Sequence, residues 1–184
     1  MMNTATMAEI QSLGETIRGI KIAMMTTVCA DGSLRSRPMA TLDMEFDGTL
    51  WFFTRLDSSK VGEVADEGQV NLNFADPTEH RYVSLSGLAT LSVDRQKIEE
   101  LWSADVEPWF PEGIQDSQLA LLRVDIDKWE YWDARSGVMV CCEGVLTEPA
   151  TEFVQEVGDH LRVDLSGIWV TQDVGNSRMR NEGI

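Results

Sequence analysis

Between Ile22 and Trp132 the chain alternates apolar and polar residues in short bursts, most of them closed by Asp-Gly, Asp-Pro or a lone glycine. A period of two with turn residues at such short intervals suits an antiparallel β core better than any helical arrangement. Residues 22–28 are apolar and β-branched, and Ala30-Asp31-Gly32-Ser33 supplies a hairpin turn. The return over 34–46 puts Leu42, Met44 and Phe46 on one face and Thr41, Asp43 and Glu45 on the other. Asp47-Gly48 turns the chain into an aromatic strand over 49–54, and these three strands are expected to pair in chain order as a meander.

The remaining strands follow the same logic. Residues 69–74 point Val70, Leu72 and Phe74 inward and Gln69, Asn71 and Asn73 outward. The long strand over 81–93 carries Gly87 in its middle, where a bulge or barrel corner is expected. Residues 119–126 alternate through Leu122, Val124 and Ile126, and 129–132 continue the extended chain. Six or seven antiparallel strands with helices between them make a mainly β (α+β) fold, and a closed or partly closed barrel removes the exposed edges of such a sheet.

Three helices punctuate the strands. Met7, Ile10, Leu13 and Ile17 recur at helical steps. Asp57 or Ser58 can cap a short helix with a Val61, Val64 and Ala65 stripe that Gly68 stops, and Asp94 caps another whose inner face is Ile98, Leu101 and Trp102. The stretch 106–116, with two prolines, a glycine and Trp109-Phe110, reads as a loop that packs aromatics. The barrel domain is placed at 1–143 and a C-terminal extension at 144–184, with one helical stretch over 152–161 and a mobile last ten residues.

The net charge of −16 over 184 residues excludes a nucleic-acid backbone as the expected partner and repels anionic membranes. No apolar run reaches membrane-spanning length, and no basic residue precedes an apolar stretch at the start, so a cytoplasmic address is expected. Cys29, the Cys141-Cys142 pair, His80 and His160 lack metal-ligand spacing, so no metal site is expected. Against so negative a field, any phosphate-bearing ligand needs local positive charge, which makes the few basic residues informative.

Two segments supply it: Arg37-Pro38-Met39, and Phe52-Phe53-Thr54-Arg55-Leu56-Asp57-Ser58-Ser59-Lys60. The second places hydroxyls and a lysine where a strand gives way to a helix, and free N–H groups at a helix start favour anions. Arg37 can add a two-pronged guanidinium. The plain alternative is that Ser58 only caps the helix while Arg37 and Lys60 face water. Trp51 and Phe53 are expected to pack in a core, and Ser84 and Ser86 either donate to a ligand or face solvent.

Arg37-Pro38-Met39, the aromatic-aromatic-Thr segment and Ser58-Ser59-Lys60, with Glu130-Tyr131-Trp132-Asp133 later, resemble the pyridoxamine 5′-phosphate oxidase-like flavoproteins, closest to their bacterial general-stress-protein branch. The resemblance covers roughly residues 10 to 140 and implies a Greek-key split β-barrel that dimerises around two flavin mononucleotides (FMN). It implies that Arg37, Ser59 and Lys60 hold the phosphate with Thr54 nearby. The backbone at Pro38 and Met39, with Phe53 adjacent, would lie beside the isoalloxazine, and Trp132 would approach from the partner subunit. Two motifs of the oxidase proper have no counterpart: a lysine following Arg37 in its strand, and an Arg-x-His near the C-terminus, where this chain has His160-Leu161-Arg162. Pyridoxamine phosphate oxidation itself is therefore not expected. The functions left are an FMN-dependent oxidoreductase linked to general stress, a non-catalytic flavin carrier or sensor, and an acidic interaction domain without cofactor.

Overall fold

Turn residues set the strand ends. Gly32, at φ +80°, closes the first hairpin in a conformation that a side chain resists, and it lies between β1 (Ile22–Val28) and β2 (Leu34–Ala40). The structure, a computed structural model, describes residues 7–133, 140–145, 163–164 and 168–169. After β2 come β3 (Thr49–Arg55), β4 (Gln69–Asp76), β5 (Arg81–Ser92), β6 (Leu119–Asp133) and β7 (Val140–Val145). The helices are α1 (Met7–Ile17), α2 (Ser59–Asp66) and α3 (Arg95–Leu101). A short pair, β8 (Val163–Asp164) and β9 (Ile168–Trp169), stands apart from the main sheet. The helical reading of 152–161 lies outside the described residues.

Seven strands form one antiparallel sheet in the order β2-β1-β4-β5-β6-β3, and β7 joins the second half of β6, beyond the end of β3. The edge strands β2 and β3 come back into contact without sharing a ladder, which makes the sheet a split β-barrel. Two expectations change here. The first three strands are not a meander, because β3 pairs with β6 and not with β2. Strand β2 stops at Ala40, opposite Ile22, and a last backbone bond from Thr41 N–H to the Lys21 carbonyl at 3.0 Å closes the pairing. Residues 41–46 keep their alternation, with Phe46 buried and Asp43 and Glu45 exposed, but as an unladdered segment.

The inner face of the sheet buries the alternate residues Ala23, Met25, Val70, Leu72, Phe74, Val83 and Leu85, and Ile10, Leu13 and Ile17 of α1 and Val64 of α2 join the same core. Strands β3 and β6 are covered on both faces. Leu50 and Phe52 point into that core, while Phe53, Leu119 and Leu121 meet Ile98 of α3 and Val106 in a second one. Phe53 packs edge-on to Trp102 at 5.5 Å between ring centres and tilted against Phe110 at 5.9 Å, so the loop does pack aromatics. The expected bulge falls between Ser86 and Gly87, where a Cβ on Gly87 would come within 2.2 Å of the Asp125 carbonyl oxygen. Only glycine fits that approach.

The second core depends on α3 staying in place. Asp94 accepts hydrogen bonds from the backbone N–H groups of Gln96 and Lys97 at 2.9 and 3.3 Å, as its capping position predicts. Asp94→Ala is expected to lower unfolding free energy by about 1 kcal/mol in a urea melt followed by far-UV circular dichroism.

Candidate functional site

The split between β2 and β3 holds a cavity of about 290 Å³. Pro38, Met39 and Ala40 of β2 form one wall and Phe53, Thr54 and Arg55 of β3 the other. Ile22, Leu42, Val106, Trp109 and Phe110 make one side apolar, and Asp57, Ser58 and Lys60 at the start of α2 make the other polar. The β3-to-α2 exit and the short hairpin thus bring together segments that stand about 20 residues apart in the chain.

Lys60 is half-buried, and its Nζ donates to Ser58 Oγ at 2.7 Å. Burial, and then the nearby Arg37 guanidinium, push its ammonium below the ordinary lysine range, against the opposing pull of Glu63 and Asp57. Ser58 occupies the N-cap of α2 without bonding the helix backbone, so the N–H groups of the first turn receive nothing from its hydroxyl. Its oxygen serves Lys60 instead. Thr54 is buried on the cavity wall at 2% exposure.

Arg37 behaves differently from the expectation. It lies on the inner face of β2, and it does not line the cavity. Its Nη1 donates to the hydroxyl of fully buried Thr27 at 2.8 Å, and its Nη2 pairs with Glu63 of α2. Glu63 also accepts from Thr27 Oγ1 at 2.6 Å and from Arg35 Nη1 at 2.9 Å. The Thr27 hydrogen bond, then Arg37 and Arg35, hold the Glu63 carboxyl below its ordinary range. Sequence reasoning passed over Glu63 because it reads as the solvated face of a short helix, and its partners lie 26 and 28 residues away.

Arg55 was also passed over. Its Nη1 meets the buried Asp116 at 2.6 Å, and Nε and Nη2 reach Asp57 at 3.1 and 3.3 Å, so it ties the floor of the cavity to the loop before β6. Asp57 is held below its ordinary range first by that Arg55 hydrogen bond. The Arg-x-Asp spacing in the strand exit was the available signal. Because Asp57 is engaged by Arg55, it opposes an anion near Lys60 less than an unpaired carboxylate would.

Among the other expected site residues, Ser59 is exposed at the helix start, 3.5 Å from Arg35, and does not line the cavity. Trp132 pairs with Tyr82 and Cys141 at the far end of β6. It lies twelve residues along that strand from Ala120, the register partner of Thr54, a path of up to about 40 Å. Ser84 and Ser86 accept hydrogen bonds from Asn71 Nδ2 at 2.8 and 3.1 Å on the outer face of the sheet. No helix among the described residues is long and apolar enough to cross a membrane.

Split barrel and cleft together define a class of small β proteins with an open seam between two edge strands, here β2 and β3. Residues 8–154 match the family model described as pyridoxamine 5′-phosphate oxidase like, and the chain belongs to that family. Among its relatives is protein bli-3 of Neurospora crassa, 27% identical over 158 residues that cover 78% of this chain and 76% of that protein. Solved structures agree on the fold. A Clostridium acetobutylicum protein related to general stress protein 26 of B. subtilis superposes with a TM-score of 0.63 at 20% identity, over 74% of this chain and 95% of that one. The general stress FMN/FAD binding protein of Xanthomonas citri superposes at 0.59 with 26% identity, over 68% and 89%.

Proposed function

We propose that this chain binds FMN in the split between β2 and β3 and works as a homodimeric flavoprotein, with oxidoreductase activity as the reaction class. One observation carries the reading: the cavity joins an apolar wall, suited to a flat ring, to a polar end bearing a half-buried ammonium in a chain of net charge −16. A half-buried lysine at a cavity wall beside Ser58 and Thr54 suits an anionic group. The naming of the Xanthomonas citri relative as FMN/FAD binding points the same way.

In this reading Lys60, Thr54 and the N–H groups at Ser59 and Lys60 receive the phosphate, with Arg37 behind them. The backbone at Pro38 and Met39 and the ring of Phe53 would flank the isoalloxazine, and Trp132 of the partner subunit would close the site. When bound, the flavin supplies the electron transfer, and the protein orients it and tunes its surroundings. The barrel and its site occupy residues up to about 143, although β7, over Val140–Val145, runs across that boundary.

Titration of the purified apoprotein with FMN, followed by quenching of flavin fluorescence, tests the reading. Saturable binding at micromolar flavin is the expected result, and its absence would remove the proposal. A second reading, a flavin carrier or sensor without rapid turnover, draws on the missing Arg-x-His motif. Anaerobic mixing with NADH or NADPH separates the two: flavin reduction at turns per second belongs to an oxidoreductase.

A further inference from the structure

The cations around the start of α2 are not all aimed at the cavity. Arg35 and Arg37 both pair with one carboxylate, Glu63, whose side chain is only 10% exposed, and Lys60 also feels that charge. Asp57, which also acts on Lys60, is itself tied to Arg55, so Glu63 is the carboxylate that engages Arg37 directly. Glu63 is held from every side. Arg35 and Arg37 reach it from β2, Thr27 from β1, and the Cys29 thiol from the turn at 3.9 Å, while Lys60 lies one turn earlier on its own helix.

We infer that Glu63 is a built-in rival of the ligand's phosphate for Arg37, holding the guanidinium off the cavity and setting an upper limit on phosphate affinity. The inference rests on the flavin-phosphate reading of the site and goes beyond it, since it makes a carboxylate of the protein part of the binding equilibrium. Arg37 cannot give the Nη2 that now faces Glu63 fully to both anions. In a partly buried setting, an ionised carboxylate beside a dianion also repels it with little screening. Glutamine at this position keeps an oxygen that accepts from Thr27 and Arg37 but removes the charge. Anchoring and repulsion are thereby separated.

The test uses the full chain, with FMN and riboflavin titrated separately into wild type, Glu63→Gln, Arg37→Ala and Glu63→Gln/Arg37→Ala. Glu63→Gln is expected to bind FMN about fivefold more tightly at pH 7.5, a factor set by one partly screened charge. Riboflavin, which lacks the phosphate, should change less than twofold. The gain should shrink at pH 5.5, because a phosphate monoester loses its second charge near pH 6. Measured against Arg37→Ala alone, the double variant should keep only the smaller part of the gain that comes from lifted repulsion, and a full fivefold gain there would overturn the rivalry for Arg37. Glu63→Asp, which draws the carboxylate one methylene back from Arg37, should give a smaller change in the same direction and serves if Glu63→Gln does not fold. Unchanged or weaker FMN binding in the single Glu63 variants, or equal tightening of riboflavin, overturns the inference while leaving the flavin site intact. A wild-type chain that binds FMN no better than riboflavin overturns the phosphate reading, and the inference with it.

Discussion

Lys60→Ala is expected to bind FMN about a hundredfold more weakly than the wild-type chain, corresponding to about 3 kcal/mol for the loss of a charged hydrogen bond in a partly buried site. Lys60 is the cation that lines the cavity alongside hydroxyl groups, whereas Arg55 is committed to Asp116 and Asp57. The pH dependence follows from the lowered lysine. Burial favours the neutral amine in the unliganded protein, so phosphate affinity falls as pH rises through a value below the ordinary 10.5. Lys60→Arg keeps its charge throughout and should flatten that alkaline limb. For stability the sign is reversed. The unfolded chain holds the Lys60 proton more tightly than the folded one, so folding gains with pH between the two values. An alkaline loss of FMN affinity with no loss of folding stability is therefore the expected combination. Affinity that ignores both Lys60→Ala and pH would place the phosphate elsewhere.

The parts of the fold legible in the sequence were those with local causes. Strand β1 runs from Ile22 to Val28 as read, because an apolar run meets a turn that contains glycine. Asp94 announces α3 by its side-chain chemistry, and Gly87 announces the bulge by lacking a side chain. Pairing was less legible. Strand β3 alternates equally well whether β2 or β6 lies beside it, and burial of both Phe52 and Phe53 becomes intelligible only once α3 and the 106–110 loop cover the second face. The alternation over 41–46 is real but reflects burial of Phe46, and a missing partner strand leaves no trace in the residues that would have paired with it.

The site divides in the same way. Thr54, Pro38, Met39, Phe53 and Lys60 were named from short segments and meet at one cavity. Arg37 was expected to hold a phosphate, but the direction of its side chain was not readable. That direction is set by Thr27, ten residues away on β1, and by Glu63, 26 residues away on α2. The large aromatic rings proved equally dependent on context. Phe110 packs on Phe53 and Trp102, and Trp129 packs against the main core, so these two rings are accounted for within one chain.

The outer face of β1 and β2 is the surface proposed to meet a second copy of the chain. Ile22, Met24 and Leu34 are 37%, 40% and 72% exposed there, next to exposed Pro38, and Leu88 of β5 adds another apolar side chain at 48%. Ile22 and Pro38 also line the cavity, so a second copy that covered this face would supply a further wall to the ligand site. A volume of about 290 Å³ is at the small end for a cofactor pocket, as expected of half a shared site. Met24→Asp tests this directly. Its neighbours Ala23 and Met25 point into the core, whereas Met24 points out, so the monomer fold should melt close to the wild type. At a dimer interface the new carboxylate would be buried beside apolar neighbours at a cost of several kcal/mol. Sedimentation should then show the wild type near twice the 20.6 kDa chain mass at micromolar concentration and the variant near the mass of one chain. FMN affinity should fall with the dimer. Trp132→Ala should weaken it as well, and only through the partner's site, because up to about 40 Å of β6 separates that ring from the cavity of its own chain. A monomeric Met24→Asp chain that still bound FMN with full affinity would exclude a shared site.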